Sequence, residues 1–176
     1  METNLTILAP FFEEPNREFS IRELSRILKI NHTTIRMHLN HLKKEGHLSL
    51  RKQGIYTFYR LTENKKTINI KLYYNLEKIR KSGIIEDFER EYALPTIVIF
   101  GSYAKARDNQ NSDIDICLIS NINKEFKAEK YEKELHRKVS IHRFTKQAFE
   151  KSGKTNPGLV NSICNGIVLS GELEIF

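Results

Sequence analysis

The sequence predicts an α+β protein with two small domains and a helical connector between them. Three observations support this class: capped helices followed by alternating strands in residues 20–61, a long helical period in residues 63–93, and apolar strands beyond it. A chain of 176 residues is long enough for two small cores. We therefore expect domains at 1–62 and 94–176, with the connector between.

The composition is that of a globular protein rather than a disordered one. Hydrophobic residues make up 39% and charged residues 29% of the chain, which leaves enough apolar surface for a core. No apolar run approaches the roughly 20 residues that cross a bilayer, and residues 1–4 do not open a secretory signal. We expect a cytoplasmic protein with no membrane partner, in which Cys117 and Cys164 are buried, reduced thiols.

The positive charge is concentrated in one stretch. The chain carries a net +7, but residues 36–81 hold twelve Lys or Arg against three Glu, a net +9, which leaves −2 for the rest. A basic excess confined to one region predicts a polyanionic partner. Charge alone does not distinguish that partner from a solvated basic surface.

Two helices are predicted in the first 30 residues. Residues 5–12 are mostly apolar and compatible with a helix up to Pro10. A second helix is expected over 20–28, because Ser20 and Glu23 form a capping box ahead of an apolar stripe.

A third helix and a hairpin follow. Asn31 is a good N-cap for a helix over residues 32–45. Residues 47–50 and 55–61 then alternate like strands. The Arg-Lys-Gln-Gly sequence at 51–54 predicts a basic turn between them.

This order of elements resembles the winged-helix domains of bacterial and archaeal regulators, and TTIRMHLNHLKKEGHL (residues 33–48) carries the resemblance. The resemblance implies that the start of the 32–45 helix enters the major groove of double-stranded DNA while the hairpin contacts the backbone. The residues expected to contact DNA are Thr33, Thr34, Arg36, Arg51 and Lys52. The alternative is a module for protein interaction or dimerisation.

The connector predicts two helices. Residues 64–80 place apolar side chains at the spacing of one helix face. Those positions are Ile68, Leu72, Leu76 and Ile79. Ser82 and Gly83 break the helix before an acidic one at 84–91. The first helix would pack on the preceding domain or on its copy in a second chain, so a homodimer is one hypothesis.

The residues that carry chemistry follow Pro95. An apolar strand at 96–100 ends in Gly101 and Ser102, whose turn would let backbone N–H groups and a hydroxyl approach a phosphate. Ten residues later, Asp113 and Asp115 begin a second strand, and alternation places both carboxylates on one face.

Two carboxylates opposite a phosphate-binding turn predict a site for nucleotidyl transfer. Paired carboxylates hold Mg²⁺ or Mn²⁺, and the cation would neutralise charge on the α-phosphate of a bound NTP. Lys105 and Arg107 in the intervening loop would contact phosphates, although a solvated role explains them equally well. The prediction requires Asp113 and Asp115 to face the turn at Gly101.

The stretch IVIFGSYAKARDNQNSDIDICLI (residues 97–119) resembles the nucleotidyltransferase superfamily related to DNA polymerase β. The similarity is greatest to minimal nucleotidyltransferases, including archaeal members with an N-terminal winged helix, whose signature is a hydrophobic residue, Gly-Ser, about ten residues, and Asp-hydrophobic-Asp. It implies a small mixed sheet flanked by helices, with ATP as the expected NTP and Asp113 and Asp115 as catalytic, metal-binding acids.

Two residues depart from the family pattern. Ala106 stands where a second glycine is usual, and alanine disfavours positive φ. Ser140, in a predicted strand at 138–142, stands where active members supply a third carboxylate, and a hydroxyl replaces that group poorly. The candidates for a substitute acid or base nearby are His142, Glu132 and Glu134. Helices are expected at 124–136, 144–152 and 157–169.

Three functions remain open from the sequence. The first is a DNA-binding protein that binds NTP and a divalent cation and transfers NMP to a protein or nucleic-acid acceptor. The second is a non-catalytic transcription regulator whose degenerate domain senses nucleotide or mediates assembly, which Ser140 favours. The third is an antitoxin-like partner that modifies or masks a toxin.

Overall fold

The computed structural model of the chain describes residues 2–174. It divides into two compact units, Met1–Tyr74 and Asn75–Phe176. The first has one hydrophobic core and the second has two. The boundary lies within one helix of the expected connector. The predicted class, a winged helix followed by a mixed sheet flanked by helices, is confirmed.

The first unit contains three helices, a three-stranded antiparallel sheet and the start of a fourth helix. Its elements are α1 (Glu2–Glu13), β1 (Phe19–Ser20), α2 (Ile21–Leu28), α3 (His32–Lys44), β2 (Leu48–Gln53), β3 (Tyr56–Leu61) and the first part of α4 (Lys65–Lys81). The strand order is β1-β3-β2. The core is formed mainly by α1, α2 and α3, and Ile70 and Tyr74 of α4 pack against it.

The predicted helix starts are confirmed. The Ser20 hydroxyl accepts a hydrogen bond from the backbone N–H of Glu23 at 3.2 Å, and the Asn31 side chain accepts one from Thr34 at 2.8 Å. The other half of the capping box differs from the prediction, because the Glu23 carboxylate pairs with Arg17 at 2.5 Å rather than with the Ser20 backbone. The capping serine and asparagine therefore fix where α2 and α3 begin.

Two expectations in this unit were wrong. Helix α1 runs through Pro10 to Glu13, because burial of Phe11 and Phe12 offsets the backbone hydrogen bond that proline cannot donate. The basic residues at 51 and 52 belong to strand β2, and the chain turns instead at Gly54 and its neighbour Ile55. The hairpin tip is therefore apolar rather than basic.

The second unit is a four-stranded mixed sheet with helices on both faces. Its elements are the rest of α4, α5 (Ile84–Glu91), β4 (Thr96–Phe100), a 3₁₀ turn (Tyr103–Lys105), β5 (Ile114–Ile119), α6 (Glu129–Leu135), β6 (Val139–Phe144), α7 (Lys146–Thr155), α8 (Pro157–Cys164) and β7 (Ile167–Ser170). The strand order is β6-β5-β4-β7, with β5 and β6 parallel and the other pairs antiparallel.

The C-terminal part differs from the predicted helix over 157–169. Helix α8 ends at Cys164, and Ile167 begins strand β7, which pairs with β4. The change of direction requires Gly166, where an added Cβ would lie 2.5 Å from the Ile99 carbonyl oxygen. Helix α6 is also shorter than the expected 124–136, and α7 begins at Lys146 after its N-cap Thr145.

The sheet buries apolar side chains on both of its faces. Ile97, Ile99 and Ile114 belong to one core, whereas Val98, Phe100 and Cys117 belong to the other. Burial raises the pKa of Cys117 to about 12, so this thiol stays protonated. Both cysteines are free, but Cys164 is half-buried rather than buried.

In the part of the chain that the structure describes, no helix combines the length and the apolar character needed to cross a membrane.

Candidate functional site

The carboxylate of Asp115 lies directly against the turn that ends β4. Phe100 and Asp115 are paired across the β4–β5 ladder, and Gly101 follows with φ +72°. A Cβ at Gly101 would lie 2.3 Å from Asp115 Oδ2 and 3.2 Å from its Cγ. Glycine is therefore required twice here, for the positive φ and for the close approach of the carboxylate.

Burial and two neighbouring charged groups act on the pKa of Asp115. Burial raises the pKa of Asp115, His142 lowers it, and the charge of Asp113 raises it again. Ile114 and Ile116 are fully buried on the opposite face of β5, as the alternation predicts. Asp115 is half-buried and Asp113, one residue before the strand, is exposed. A carboxylate held at this energetic cost beside a turn is typical of a ligand site.

The loop after Gly101 closes on the carbonyl of Ser102. That oxygen accepts hydrogen bonds from the backbone N–H groups of Lys105 at 3.2 Å and Arg107 at 2.9 Å. Ala106 takes φ +52° and ψ +31°, so this alanine adopts the left-handed conformation that the usual glycine would take. The Lys105 and Arg107 side chains are exposed, and Ser102 is half-buried.

Replacing Ala106 with Gly is expected to stabilise the protein. The left-handed conformation costs an L-residue roughly 1–2 kcal/mol, and the greater chain entropy of glycine takes back about 0.5–1 kcal/mol. We expect a gain of up to about 1 kcal/mol in the free energy of unfolding, measured by urea denaturation. Ala104→Gly is the control, because Ala104 has negative φ and should only lose stability. Equal losses in the free energy of unfolding of both variants would contradict a strained backbone at Ala106.

A buried polar network holds the loop in place. The side-chain amide of Asn75 donates to the Tyr103 carbonyl at 3.0 Å and to Asp108 Oδ1 at 2.9 Å. The other oxygen of Asp108 faces Arg137 at 3.7 Å, and both side chains are almost fully buried. The network links α4, the loop and the start of β6, so it positions the Gly-Ser turn.

Sequence reasoning missed this network. The spacing of α4 drew attention to its apolar face, and Asp108 looked like one polar loop residue among several. Arg137 lies between the expected helix, which ends at residue 136, and the expected strand, which begins at residue 138. The available signal was Asn75 itself. It lies one turn before the fully buried Ile79, where a polar side chain indicates a buried hydrogen bond.

The structure places Ser140 beside Asp115 in the parallel β5–β6 ladder. Its hydroxyl lies 3.4 Å from Nε2 of His142, whose ring contacts Phe100 edge-on. Glu132 does not reach this face: its carboxylate accepts the backbone N–H of Val139 at 2.9 Å. Glu134 is exposed on α6. Of the groups considered as substitutes for the third acid, His142 is the one near Asp115.

The two acids fit a divalent cation whose remaining ligands are supplied by a substrate. Among residues 2–174, no cluster of three or more His, Cys, Asp or Glu side chains is arranged to hold a metal ion. Mg²⁺, however, is commonly bound through one or two carboxylates together with substrate phosphates. Asp113 and Asp115 supply that number of carboxylates, and the Asp115 carboxylate lies against the Gly-Ser turn.

In the first unit, the exposed face of α3 carries part of the predicted DNA-contacting set. Thr33 and Arg36 are exposed, whereas Thr34 is half-buried and donates its backbone N–H to the side chain of the N-cap Asn31. The N-terminal turn of α3 is therefore open to a ligand, as a recognition helix requires.

Arg51 is already engaged by a carboxylate. Its guanidinium donates to both oxygens of Glu18, including two contacts of 2.9 Å from Nε, and to Gln53 at 3.0 Å. This hydrogen bonding holds the pKa of Glu18 below its ordinary value. The guanidinium also lies over the ring of Phe58. Lys52 points to the other face of the strand and is exposed.

The fold defines a helix-turn-helix protein with a second domain of the nucleotidyltransferase type. The family profile described as "Nucleotidyltransferase domain" matches residues 81–168, half of the chain, and the chain belongs to this family. The profile "Bacterial regulatory protein, arsR family" matches residues 6–49. The protein therefore carries an arsR-type helix-turn-helix at its N-terminal end and a nucleotidyltransferase domain after it.

Two solved structures are similar to the chain. Reduced HlyU from Vibrio cholerae N16961 is 27% identical over 40% of this chain and 75% of that one, with a TM-score of 0.35. A "possible transcriptional regulator" from Methanosarcina mazei Go1 is 18% identical over 49% of this chain and 77% of that one, with a TM-score of 0.37. No curated protein matches the sequence significantly.

Proposed function

We propose that this protein binds double-stranded DNA through its winged helix, and that its second domain binds a divalent-cation complex of an NTP, ATP first, and transfers NMP to an acceptor. The observation that carries the catalytic half is the contact between the Asp115 carboxylate and the Gly101 turn. It supports a site in which a phosphate-binding turn and a metal-binding acid are close enough to contact the same nucleotide.

Each residue has a defined part in this proposal. Asp113 and Asp115 would hold Mg²⁺ or Mn²⁺, which would neutralise charge developing on the α-phosphate. The backbone at Gly101 and the Ser102 hydroxyl would donate hydrogen bonds to the triphosphate. Lys105 and Arg107, exposed at the rim of the loop, would meet the outer phosphates. Asn75 and Asp108 keep the loop in shape.

A second candidate is a non-catalytic regulator whose nucleotidyltransferase domain binds nucleotide or mediates assembly. Ser140 supports it, because a hydroxyl stands beside Asp115 where a carboxylate would activate the acceptor. An antitoxin-like role, in which the protein modifies or masks a toxin, is compatible with either candidate. No residue of this chain specifies it.

Incorporation of α-labelled ATP with Mg²⁺ or Mn²⁺ separates the candidates. The transfer proposal expects label on an acceptor with wild-type protein and none with Asp113→Asn. Equilibrium binding of a non-hydrolysable ATP analogue runs in parallel. Binding without transfer supports the regulator, and the absence of binding contradicts nucleotide recognition altogether.

The DNA half of the proposal assigns Thr33, Thr34 and Arg36 on α3 to the major groove, and Arg51 and Lys52 on β2 to the backbone. The net +9 over residues 36–81 supports a polyanionic ligand. A homodimer would present two such helices to paired half-sites. The molar mass in solution at micromolar concentration tests the dimer, and a monomer there would contradict it.

Replacing Glu18 with Gln is expected to tighten binding to duplex DNA. Glu18 occupies donors of Arg51 that a phosphate would use, and its own charge repels the phosphate. We expect a gain of about two- to fivefold at low salt, the scale of one exposed charge pair, measured by fluorescence anisotropy. In an Arg51→Ala background the same substitution should gain less. Weaker binding by Glu18→Gln would instead mean that Glu18 orients Arg51 for its contact.

A further inference from the structure

Met37 stands out on the exposed face of α3. The other large apolar side chains of that helix, Ile35, Leu39 and Leu42, are at most 1% exposed, whereas Met37 is 60% exposed. An amphipathic helix that leaves one long apolar side chain in water loses the free energy of burying it. A ligand that binds this face of α3 can therefore gain free energy by burying the Met37 side chain.

The surroundings of Met37 are polar and basic. It lies one helical turn after Thr33 and one before Asn40, and Arg36 is its immediate neighbour. Lys43 and Lys44 continue the exposed surface toward the end of the helix. A single apolar side chain within a cationic, hydrogen-bonding surface complements a polyanion that carries a small apolar group, rather than an extended apolar protein patch.

We infer that Met37 contacts the 5-methyl group of a thymine in the major groove of duplex DNA. That methyl is the apolar group which a base pair presents there, beside the donors and acceptors that Thr33 and Asn40 would meet. The unbranched methionine side chain is flexible enough to reach it without fixing the register of the helix. This inference rests on the proposed DNA binding and adds a specificity-determining residue to it.

The test uses two duplexes of equal length, alternating d(A-T) and alternating d(A-U), which differ in the thymine methyl groups alone. Every base pair of the first duplex carries a methyl in its major groove, so no knowledge of an operator is needed. Wild-type protein should bind d(A-T) about fourfold more tightly for each methyl contacted, the effect of burying one such group. Binding is measured by fluorescence anisotropy at low salt.

Variants of exposed residues complete the test. Met37→Ala should bind both duplexes equally, and Met37→Leu should keep the preference. Ile55→Ala is the matched control: Ile55 is 91% exposed and lies in the hairpin turn rather than on α3, so its loss should leave the preference intact. Equal binding of both duplexes by wild type, or a preference that survives in Met37→Ala, overturns the inference while leaving DNA binding standing. Failure to bind either duplex overturns DNA binding as well.

Discussion

Replacing Asp115 with Asn is expected to weaken nucleotide binding and, at the same time, to stabilise the ligand-free protein at neutral pH. Binding should fall because the variant loses one of two carboxylates for the cation. Even outer-shell partners of metal ligands are worth about 10–100-fold in affinity, so we expect a loss of more than about tenfold. Isothermal titration with Mg²⁺ and a non-hydrolysable ATP analogue measures it.

The stability gain follows from the sign of the pKa shift. Burial, opposed by His142 and reinforced by Asp113, raises the pKa of Asp115 in the folded chain. The fold therefore favours the protonated acid. Its contribution to stability is complete below the pKa of the unfolded chain and is lost as the pH rises through the folded pKa. Asparagine cannot ionise, so the variant avoids this loss above that window.

Thermal unfolding of the ligand-free protein from neutral to acidic pH tests the expected gain in stability. The unfolding midpoint of Asp115→Asn should exceed that of wild type at neutral pH and approach it as the solution is acidified. Asp113→Asn should weaken nucleotide binding similarly but gain less stability, because Asp113 is exposed. An Asp115→Asn protein that is less stable at neutral pH and binds nucleotide normally would contradict both expectations.

Removing the positive charges of Arg51 and Lys52 together is expected to reduce both the affinity for DNA and its dependence on salt. Each phosphate contact contributes about 0.9 to the slope of log affinity against log salt concentration, so the double alanine variant should have a slope smaller by about 1.8. The loss of affinity should be largest at low salt and similar for unrelated duplex sequences.

A charge-matched control separates contact from general attraction. Lys127→Ala with Lys133→Ala removes the same charge from exposed positions of the other unit. That double variant should change the slope by much less than Arg51→Ala with Lys52→Ala. Equal changes would mean that net charge, rather than the hairpin, determines binding.

The elements that sequence predicted well are those fixed by local chemistry. Ser20 and Asn31 cap their helices with their own side chains, and Gly101 with Asp115 marks the turn because both positions admit few alternatives. Residues 167–169 of strand β7 were predicted as helix. The strand that pairs with Ile167, β4, is distant in the sequence, so local periodicity does not indicate the pairing. Long-range pairing overrode local periodicity there.

The same distinction applies to the site. The turn and the acids could be read from spacing, because alternation along one strand determines which side chains share a face. The contacts of Asn75, Asp108 and Arg137 could not, since they join three segments far apart in the chain. The Glu18–Arg51 pair was not predicted for the same reason, because the two residues lie 33 positions apart in the sequence.

The left-handed backbone of Ala106 has a consequence for how related chains are recognised. A sequence pattern that demands glycine at this position would reject this protein, although its backbone turns as a glycine would. The shape is imposed by neighbours, through the shared Ser102 carbonyl and the buried Asp108. Relatives whose loops are tied down in this way can therefore diverge at the second glycine, and a pattern based on the anchoring residues would retain them.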